Sequence, residues 1–502
     1  MLAAARSAAV LGVDAFDVTV EVDCTRGLPQ WTIVGMPAGS VKESRERVAS
    51  ALANAGVVLP PRRVTVNLAP ADVAKTGTAF DLPIAVAMLV AFEIIPAESA
   101  SSAVFLGELG LDGSVRPVRG VLSVARRLAR LDPRPTLVLP AHNVAEASLV
   151  RELELSAPAS IMELIEWLRA GSLPRAARSP APGADHSAAD FADVVGQESA
   201  KRALEIAAAG AHNVLLIGPP GAGKTMLARR LPSILPTLTE DEILEVTAIH
   251  SVAGMLNGSV GNPERPFRAP HHSVSTAGLI GGSSVPRPGE VSLAHHGVLF
   301  LDELLEFPRH TLESLRQPME DGRVTIARAS SVICYPARFT LVAAMNPCPC
   351  GYAGDRTRTC LCAESQIARY RSRLSGPLLD RIDLHLTLSP VPLRTIGEGN
   401  DAESSAGVRA RVQGARERQA ARASASGQAN GRVNGRTLLA HMEPDARRQL
   451  ESAAESLALS ARAYHRVTRV ARTIADLDGA ARIGPAHVAE ALRYRPQLGG
   501  SA

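Results

Sequence analysis

The order of apolar and polar residues changes twice along the chain. Near the amino terminus FDVTVEVD alternates apolar and polar positions, as a half-buried strand does, and KESRERVASALANAG has helical spacing followed by a glycine stop. Further on, short apolar runs such as NVLLIG, GVLFLDE and FTLVAAMN alternate with helical stretches, which is typical of a parallel sheet with crossover helices. From about Thr437 the pattern is helical throughout. The sequence therefore predicts two α/β blocks followed by a helical one.

Two stretches interrupt these patterns. Residues 171–190 are rich in Ala, Pro and Ser, and residues 396–436 include a run with seven arginines and one glutamate. We therefore predict an α/β domain, a linker, a second α/β domain, a basic linker and a helical domain, at residues 1–170, 171–190, 191–395, 396–436 and 437–502. The basic run either contacts phosphates or forms a solvated helix and flexible tether.

Composition narrows the class of protein. A chain of 502 residues with 46% hydrophobic residues is expected to be a soluble protein of several domains. The longest uncharged apolar run, LPIAVAMLVAF, is too short to cross a bilayer, and the amino terminus has no basic segment before a long apolar one. We therefore expect a cytoplasmic protein without a membrane partner. A net charge of +4 permits nucleic-acid binding without requiring it.

The stretch GPPGAGKT, Gly218 to Thr225, predicts a nucleotide site. It follows the apolar run NVLLI and precedes a helical pattern, which is the context of a phosphate-binding loop. Glycines let backbone N–H groups face phosphates, and Lys224 reaches the β and γ oxygens. The residues predicted to hold ATP are Gly218, Pro219, Pro220, Gly221, Ala222, Gly223, Lys224, Thr225 and Met226.

The stretch GVLFLDE supplies the acidic half of such a site. Asp302 follows the apolar run and, with the Thr225 hydroxyl, is predicted to bind Mg²⁺. Glu303 is predicted to orient or deprotonate the attacking water, which makes the protein a hydrolase and not only a binder. The alternative is a strand-end acidic pair on a solvated loop.

Four of the six cysteines lie within the stretch MNPCPCGYAGDRTRTCLC. Cys348, Cys350, Cys360 and Cys362 form two C-x-C pairs, and the glycines between them let the chain turn back so that four thiolates meet. We predict a structural zinc site; packed reduced thiols and regulatory disulfides are the alternatives. Cys24 and Cys334 are interpreted as packed thiols.

Three segments resemble the AAA+ ATPases of the magnesium-chelatase-like group, in its ComM/YifB branch. They are VVGQESAKRALEIAAAGAHNVLLIGPPGAGKT, RPFRAPHHSVSTAGLIGGSSVPRPGEVSLAHHGVLFLDEL and SGPLLDRIDLHL. The resemblance implies a P-loop core with a helical lid, a water-holding sensor at Asn346, and an arginine finger at Arg381 that acts on a neighbouring subunit. A finger acting in trans implies a ring, expected to be a hexamer. Arg462 is assigned as the second sensor, with Arg466 and Arg469 in similar helical phase; surface ion pairs are the alternative for these arginines.

Two further segments resemble insertions of this group, residues 265–290 and the predicted hairpin DGRVTIARASSVICYPARF. The resemblance implies that they face the pore of the ring. Candidate phosphate contacts there are Arg268, His271, His272, Arg287, Arg323 and Arg328. The pairs His271–His272 and His295–His296 are predicted to make loop hydrogen bonds and not to bind metal, because adjacent residues of a strand point to opposite faces.

The amino-terminal block resembles the proteolytic domain of Lon-type proteases, through RRVTVNLAPADVAKTGTAFDLPIAVAMLVA and FLGELGLDGSVRPVRGVLSVARRLA. The resemblance places Asp81 at the position of the serine nucleophile and Leu122 at the position of the lysine base. Neither side chain can perform that chemistry, so we expect the fold without protease activity. A residual alternative pairs Lys75 with a hydroxyl from Ser40, Ser44 or Thr78.

The resemblance implies an ATP-driven motor that acts on single-stranded or branched DNA, as a helicase or branch-migration enzyme in homologous recombination and natural transformation. A metal-insertion motor of the magnesium-chelatase type is the first alternative, although the chain has no D-x-S-x-S motif and carries the Lon-like block. A protein-remodelling ATPase is the second. With 3% aromatic residues, few side chains are available for base stacking, which favours contact with the DNA backbone.

Overall fold

The computed structural model describes residues 1–178, 189–256, 260, 264–282, 286–328, 331–355, 358–391, 403–422 and 428–495. Across these ranges, no helix has the length and apolar character that crossing a membrane requires.

The first domain is built on a seven-stranded mixed sheet with the order β3-β4-β2-β1-β5-β8-β9. Its first two strands form a long antiparallel pair from Leu2↔Asp23 to Leu11↔Asp14. The strands are β1 Leu2–Leu11, β2 Asp14–Thr25, β3 Gln30–Val34, β4 Arg63–Ala69, β5 Ala103–Phe105, β6 Glu108–Leu109, β7 Val115–Arg116, β8 Thr136–Val138 and β9 Leu155–Ser156. The helices are α1 Gly39–Lys42, α2 Ser44–Asn54, α3 Asp81–Ala91, α4 Ala97–Ser101, α5 Val121–Leu128, α6 Val144–Ala147 and α7 Ile161–Arg169.

Helix α3 forms the centre of this domain. All its residues are buried, against β1 and β2 on one side and α2 on another. The alternating pattern of β2 turns Val18, Val20 and Val22 toward the same core. The apolar run LPIAVAMLVAF is therefore a core helix of a globular domain, in keeping with its length.

The second domain contains a five-stranded parallel sheet with the order β11-β12-β15-β10-β16. Helices cover both faces, so the mixed α/β class with a parallel sheet is confirmed. The strands are β10 Val214–Ile217, β11 Phe267–Arg268, β12 Val298–Leu301, β13 Arg323–Arg328, β14 Ser331–Pro336, β15 Thr340–Met345 and β16 Leu384–Thr387. The helices are α8 Glu198–Gly210, α9 Lys224–Ile234, α10 Glu240–Ala253, α11 Thr276–Ile280, α12 Glu290–Leu293, α13 Arg309–Glu313, α14 Arg316–Asp321, α15 Glu364–Arg371 and α16 Gly376–Leu379.

The predicted hairpin is confirmed. Strands β13 and β14 pair antiparallel, from Arg323↔Pro336 to Arg328↔Ser331, as a separate two-stranded sheet. Ile333 of the hairpin contacts the turn between β1 and β2, since a Cβ on Gly12 would lie 2.9 Å from its Cγ2 atom. The first domain thus packs against the hairpin.

The carboxy-terminal region is helical and shares a core with one face of the parallel sheet. Its helices are α17 Ser405–Arg422, α18 Gly435–Leu438, α19 Pro444–Ser456, α20 Ala461–Leu477 and α21 Pro485–Arg493.

The segment predicted as a basic linker is different in the structure. Residues 405–422 form the 18-residue helix α17, and Val408, Val412 and Ala415 bury one side of it against α8, α9 and α20. The interpretation of this part as a tether is therefore wrong: the arginines occupy the remaining faces of a packed helix. The other linker, 171–190, is described only at its two ends, where Ala176 N–H donates to the Leu155 carbonyl at 2.8 Å.

The first domain contacts the second through α10. Leu244 and Ala248 of α10 pack with the apolar cluster around α5. The Gly120 N–H donates to the Ser251 hydroxyl at 2.9 Å, which joins the start of α5 to α10. This contact is mainly apolar and is supported by a buried hydrogen bond.

Candidate active site

Three strand ends bring the predicted ATP site together. The P-loop follows β10, Asp302 and Glu303 follow β12, and Asn346 follows β15. Because β12, β15 and β10 are parallel neighbours in the sheet, their carboxyl ends lie side by side at one edge. The residues that sequence analysis selected from separate motifs therefore meet at one place.

The P-loop turns sharply before α9. Gly221 and Gly223 have φ angles of +81° and +85°, a region that favours glycine, and added Cβ atoms there would meet open space. The loop therefore exposes its backbone N–H groups at the amino-terminal end of an 11-residue helix, where anions are stabilised. Met226, the third residue of the helix, is 42% exposed.

Lys224 points back into the loop. Its ammonium donates to the Gly218 carbonyl at 2.7 Å, the Pro219 carbonyl at 3.0 Å and the Asn346 side-chain oxygen at 3.0 Å. Burial lowers the pKa of Lys224, while Asp302 and Glu303 act in the opposite direction. A phosphate group would replace these neutral acceptors with a charged one and favour the ammonium form.

The residues present fit a magnesium ion. The Thr225 hydroxyl donates to the Asp302 carboxylate at 2.8 Å, so the two oxygens predicted to bind the metal already lie together. Hydroxyl and carboxylate oxygens are the ligands that Mg²⁺ prefers beside substrate phosphates. When bound, the ion would neutralise charge on the phosphate oxygens.

Glu303 occupies an unusual backbone conformation. Its φ angle is +51°, which is uncommon for a residue with a side chain, and its N–H donates to Asp302 at 2.9 Å. The Glu303 carboxylate is exposed and lies 3.5 Å from the Nδ1 atom of His272. The sequence predicted His272 as a phosphate contact but not its approach to Glu303, because the two residues are 31 positions apart and only the sheet order brings them together.

The cysteine loop packs on the P-loop. Gly351 lies against the ring of Pro220, where an added Cβ would come within 2.7 Å of the proline Cδ atom. The same loop begins directly after Asn346. The conformation of the four-cysteine segment is therefore coupled sterically to the sensor and to the phosphate-binding loop.

The four predicted sulfur ligands converge. The sulfurs of Cys348, Cys350, Cys360 and Cys362 all lie within 4.8 Å of one another, and three of the separations are 3.3, 3.6 and 3.7 Å. Zinc–sulfur bonds of about 2.3 Å in a tetrahedron place sulfurs about 3.8 Å apart, so the cluster fits a zinc ion. Backbone N–H groups of Tyr352 and Leu361 lower the pKa of Cys350 to about 6, which favours the thiolate that metals bind. Against the effect of backbone N–H groups, desolvation and the neighbouring thiols raise the pKa of Cys360 and Cys362.

Arg381 lies at the amino-terminal ends of the sheet strands, whereas the P-loop lies at their carboxyl ends. It precedes β16, whose first residue Leu384 pairs with Val214 at the start of β10, whereas the P-loop follows the end of β10. The length of these strands, about 10 Å, separates the backbone on which Arg381 lies from the P-loop of its own chain. Arg381 binds Glu320 and the Pro377 carbonyl, and its Nε atom has no partner among the described residues.

The three arginines considered for the second sensor differ in their contacts. Arg466 donates to the Ile382 carbonyl at 3.1 Å and Arg469 pairs with Asp383 at 3.2 Å, so both tie α20 to the segment before β16. Arg462 is exposed and lines the same cavity as Arg381. The structure thus brings Arg462 together with Arg381 and not with the P-loop of its own chain.

The second histidine pair makes loop hydrogen bonds, as predicted. His295 and His296 contact one oxygen of Glu245 at 2.9 and 2.8 Å. The expectation of opposite faces is wrong, because His296 has a φ angle of +56° in a turn before β12. The Arg338 N–H donates to Nδ1 of His295, so its Nε2 carries the proton and offers no lone pair to a metal.

The site that corresponds to the protease nucleophile is occupied by a buried ion pair. Asp81 is fully buried and accepts two hydrogen bonds from Arg47, at 2.6 and 2.9 Å, and one from the Leu109 N–H. Lys75 is also buried, and its ammonium has no partner among the described residues. Ser40 bonds to Gly77, Ser44 to Arg47 and Thr78 to Glu108. No alternative serine–lysine or threonine–lysine hydrogen bond is therefore formed in the described structure.

We expect the Arg47–Asp81 pair to stabilise this domain. Replacing Arg47 with methionine leaves the buried Asp81 carboxylate without its counter-ion and should lower the free energy of unfolding by about 3 kcal/mol. Urea unfolding monitored by circular dichroism measures the change. Arg45→Met is the control, since Arg45 is 53% exposed and pairs with a neighbouring glutamate. Equal effects of the two substitutions would contradict the assignment.

The candidate DNA contacts fall into two groups. Arg268 is held by Glu290 through bonds of 2.6 and 2.8 Å, and His271 bonds to Ser273, so these side chains already have partners. Arg287 and Arg323 are exposed and form no ion pair with any described residue. The side chain of Arg328 lies outside the described residues.

Three family models match the chain. "Magnesium chelatase, subunit ChlI" matches residues 190–396, "Subunit ChlI of Mg-chelatase" matches residues 20–143, and "Magnesium chelatase, subunit ChlI C-terminal" matches residues 402–495. The third match includes α17, in agreement with its packing into the helical region.

Relatives match nearly the whole chain. It is 44% identical over 504 residues to competence protein ComM of Haemophilus influenzae, covering 99% of this chain and 98% of the relative. It is 43% identical over 496 residues to the uncharacterized protein YifB of Escherichia coli, covering 97% and 96%. Lon protease 2 of Bacillus subtilis is 30% identical over 152 residues, or 28% of this chain and 26% of the protease. The chain therefore belongs to the ComM/YifB family of magnesium-chelatase-like AAA+ ATPases, with a Lon-like region at its amino terminus.

Proposed function

We propose that this protein is an ATP-driven motor that moves on single-stranded or branched DNA, as a helicase or branch-migration enzyme. The observation that carries the proposal is that the chain is 44% identical, over nearly its full length, to a relative named a competence protein. Its role would be in homologous recombination, including the integration of DNA taken up by natural transformation.

In this proposal the P-loop binds the phosphates of ATP, and Glu303 with Asn346 orients the attacking water. Thr225 and Asp302 hold Mg²⁺. Arg381 precedes β16, at the opposite ends of the strands from the ATP site of its own chain, and acts on the neighbouring subunit. Arg462 lines the same cavity and acts on that side as well. A ring, proposed to be a hexamer, satisfies this arrangement because every subunit both receives and supplies a finger.

The proposed DNA surface is formed by the two insertions together. The Tyr335 hydroxyl of the hairpin donates to the Pro286 carbonyl at 3.2 Å, and Ile326 packs against Gly281 and Gly282. Arg287 and Arg323 belong to these segments and are free to contact phosphates. The first domain contacts the hairpin at Gly12 and so supports its position.

We expect loss of both arginines to weaken DNA binding. Arg287→Ala with Arg323→Ala should lower the affinity for a labelled single strand and reduce the slope of log affinity against log salt by about 1.4, because two phosphate contacts are lost. Fluorescence anisotropy over a salt series measures both quantities. Arg26→Ala is the control, since Arg26 is exposed on the first domain. An unchanged salt slope would show that Arg287 and Arg323 do not contact the DNA.

We also propose that the four-cysteine cluster holds structural zinc, which would fix the loop that touches Pro220. Protein purified with reductant should contain about one zinc ion per chain, and Cys348→Ser with Cys360→Ser should remove it. Mass spectrometry of the metal measures this. Cys334→Ser is the control, because Cys334 is an exposed thiol of the hairpin and not the packed thiol that the sequence suggested, whereas Cys24 is buried as expected. Zinc-free wild-type protein would contradict the proposal.

A metal-insertion motor remains the second candidate, because the matching family models carry the magnesium-chelatase name. The two functions differ in what stimulates the ATPase. The DNA motor should hydrolyse ATP faster when single-stranded or branched DNA is added, and a phosphate-release assay measures the rate. Turnover that DNA does not change would favour the chelatase-type or the protein-remodelling function.

A further inference from the structure

A cavity of about 820 Å³ lies between the parallel sheet and the helical region, away from the P-loop. Its walls include Asn213, Gly297 and Thr340, which lie at the amino-terminal starts of β10, β12 and β15. The P-loop lies at the carboxyl ends of the same strands. Helix α17 and residues 428–435 form the opposite wall. The cavity is therefore a second site, separate from the one that binds ATP.

Four arginines of this cavity lie close to one another: Arg265, Arg338, Arg416 and Arg432. They come from four separate segments of the chain, so their convergence is a product of the fold. Glu242 is the carboxylate that acts on both Arg416 and Arg432. It already bonds to Arg265 at 3.1 Å and to His296 at 3.1 Å, so its charge is shared.

Three of the four guanidinium groups make few hydrogen bonds within the described part of the protein; Arg338 and Arg432 are exposed to solvent, and Arg416 is half-buried. Arg416 makes one hydrogen bond, to the Ala208 carbonyl at 3.2 Å, and its buried Nε atom has no partner among the described residues. Arg432 makes one long bond, to the Phe339 carbonyl at 3.4 Å. The side chain of Arg338 makes no hydrogen bond or ion pair within the described ranges. Arg265, in contrast, has three carbonyl acceptors besides Glu242.

The proximity of these guanidinium groups to one another disfavours their charged forms. Burial and the neighbouring guanidinium groups lower the pKa of Arg416 to about 9. The pKa of Arg432 is lowered in the same direction, by desolvation and by Arg338 and Arg265, although part of its side chain remains exposed to solvent. Glu242 is the carboxylate that offsets these charges, and it is already shared with Arg265 and His296, so an anion between the guanidinium groups would reduce their mutual repulsion further.

We propose that this cavity binds a phosphate group, held by Arg338, Arg416 and Arg432. Planar guanidinium forks match the oxygens of phosphate and can bind them in pairs. The volume is in the range of small-molecule sites, so the phosphate can belong to a free polyphosphate or to a nucleotide. Arg381 and Arg462 line the same cavity, which connects it to the proposed interface with the next subunit.

Pyrophosphate binding to a Lys224→Ala protein tests the proposal, since this background weakens phosphate binding at the P-loop. Isothermal titration calorimetry should show binding that Arg432→Gln or Arg416→Gln weakens at least about tenfold, as expected for loss of a charge-assisted contact. Arg418→Gln is the matched control: Arg418 lies on α17 beside Arg416 but bonds to the Asp476 carbonyl. Arg416→Lys keeps the charge and should retain more affinity than Arg416→Gln.

The Arg432 variant keeps the test decisive if Arg416→Gln fails to fold, because Arg432 makes a single long bond. A parallel titration with ADP distinguishes the two sources: tighter binding of ADP than of pyrophosphate identifies a nucleotide, and equal or weaker binding identifies a free phosphate. The proposal is overturned if the Lys224→Ala protein binds neither compound, or if Arg432→Gln binds as tightly as Arg418→Gln.

Discussion

Replacing Lys224 with alanine should reduce ATP turnover at least about a hundredfold, because its half-buried ammonium lies in the P-loop, where it would contact the transferred phosphate. Glu303→Gln should reduce turnover to a similar extent while leaving ATP bound, since the amide cannot accept a proton from water but the P-loop is intact. Phosphate release measures turnover, and a fluorescent ATP analogue measures binding.

Lys42→Ala is the control for this prediction. Lys42 lies in the last turn of α1 in the first domain, where it is exposed, so its loss should leave turnover unchanged. Substantial turnover by Lys224→Ala, or loss of ATP binding by Glu303→Gln, would show that the strand-end cluster does not work as the geometry indicates.

Arg381→Ala should reduce turnover by about a thousandfold or more, and mixing with Lys224→Ala subunits should restore part of it. The first variant has an intact P-loop but no finger, and the second has a finger but a defective P-loop. Because Arg381 lies at the opposite ends of the sheet strands from the P-loop, a complete site forms only where the two variants are neighbours. Phosphate release measured over a series of mixing ratios tests this.

Arg369→Ala provides the comparison for Arg381→Ala, since Arg369 is an exposed arginine on α15. It should hydrolyse ATP normally and gain nothing from mixing. If the mixture of Arg381→Ala and Lys224→Ala is no more active than the sum of its parts, Arg381 does not act between subunits, and the argument for a ring is lost.

The ATP site could be predicted from sequence because each part is local. GPPGAGKT and GVLFLDE each combine an apolar strand with the polar residues that follow it, and parallel strands bring such ends to one edge. The cysteine cluster was predictable for a similar reason, because two C-x-C pairs separated by a short turn have few other ways to fold. The hairpin was predicted through the resemblance of its segment to an insertion of this group.

Helix α17 was harder to predict because little of its surface is apolar. Val408, Val412 and Ala415 repeat with helical spacing, but arginines and small polar residues surround them and resemble a solvated linker. The helix is stabilised by tertiary packing against α8, α9 and α20, which the local sequence does not encode.

Contacts between segments that are distant in the chain could not be predicted from sequence patterns either. The approach of His272 to Glu303 and the convergence of Arg338, Arg416 and Arg432 depend on strand order and on how the helical region packs. Arg462 was selected through the resemblance, but only the structure places it beside Arg381. The sequence shows which residues are present, but it does not show which of them lie close together in the fold.

The central claim is that ATP hydrolysis drives movement on DNA, and strand displacement from a labelled three-strand junction tests it most directly. The wild-type protein should release the labelled strand in the presence of ATP, with turnover raised by the junction, whereas Lys224→Ala should leave the junction intact. An intact junction with wild-type protein that hydrolyses ATP at a rate indifferent to DNA would contradict the claim.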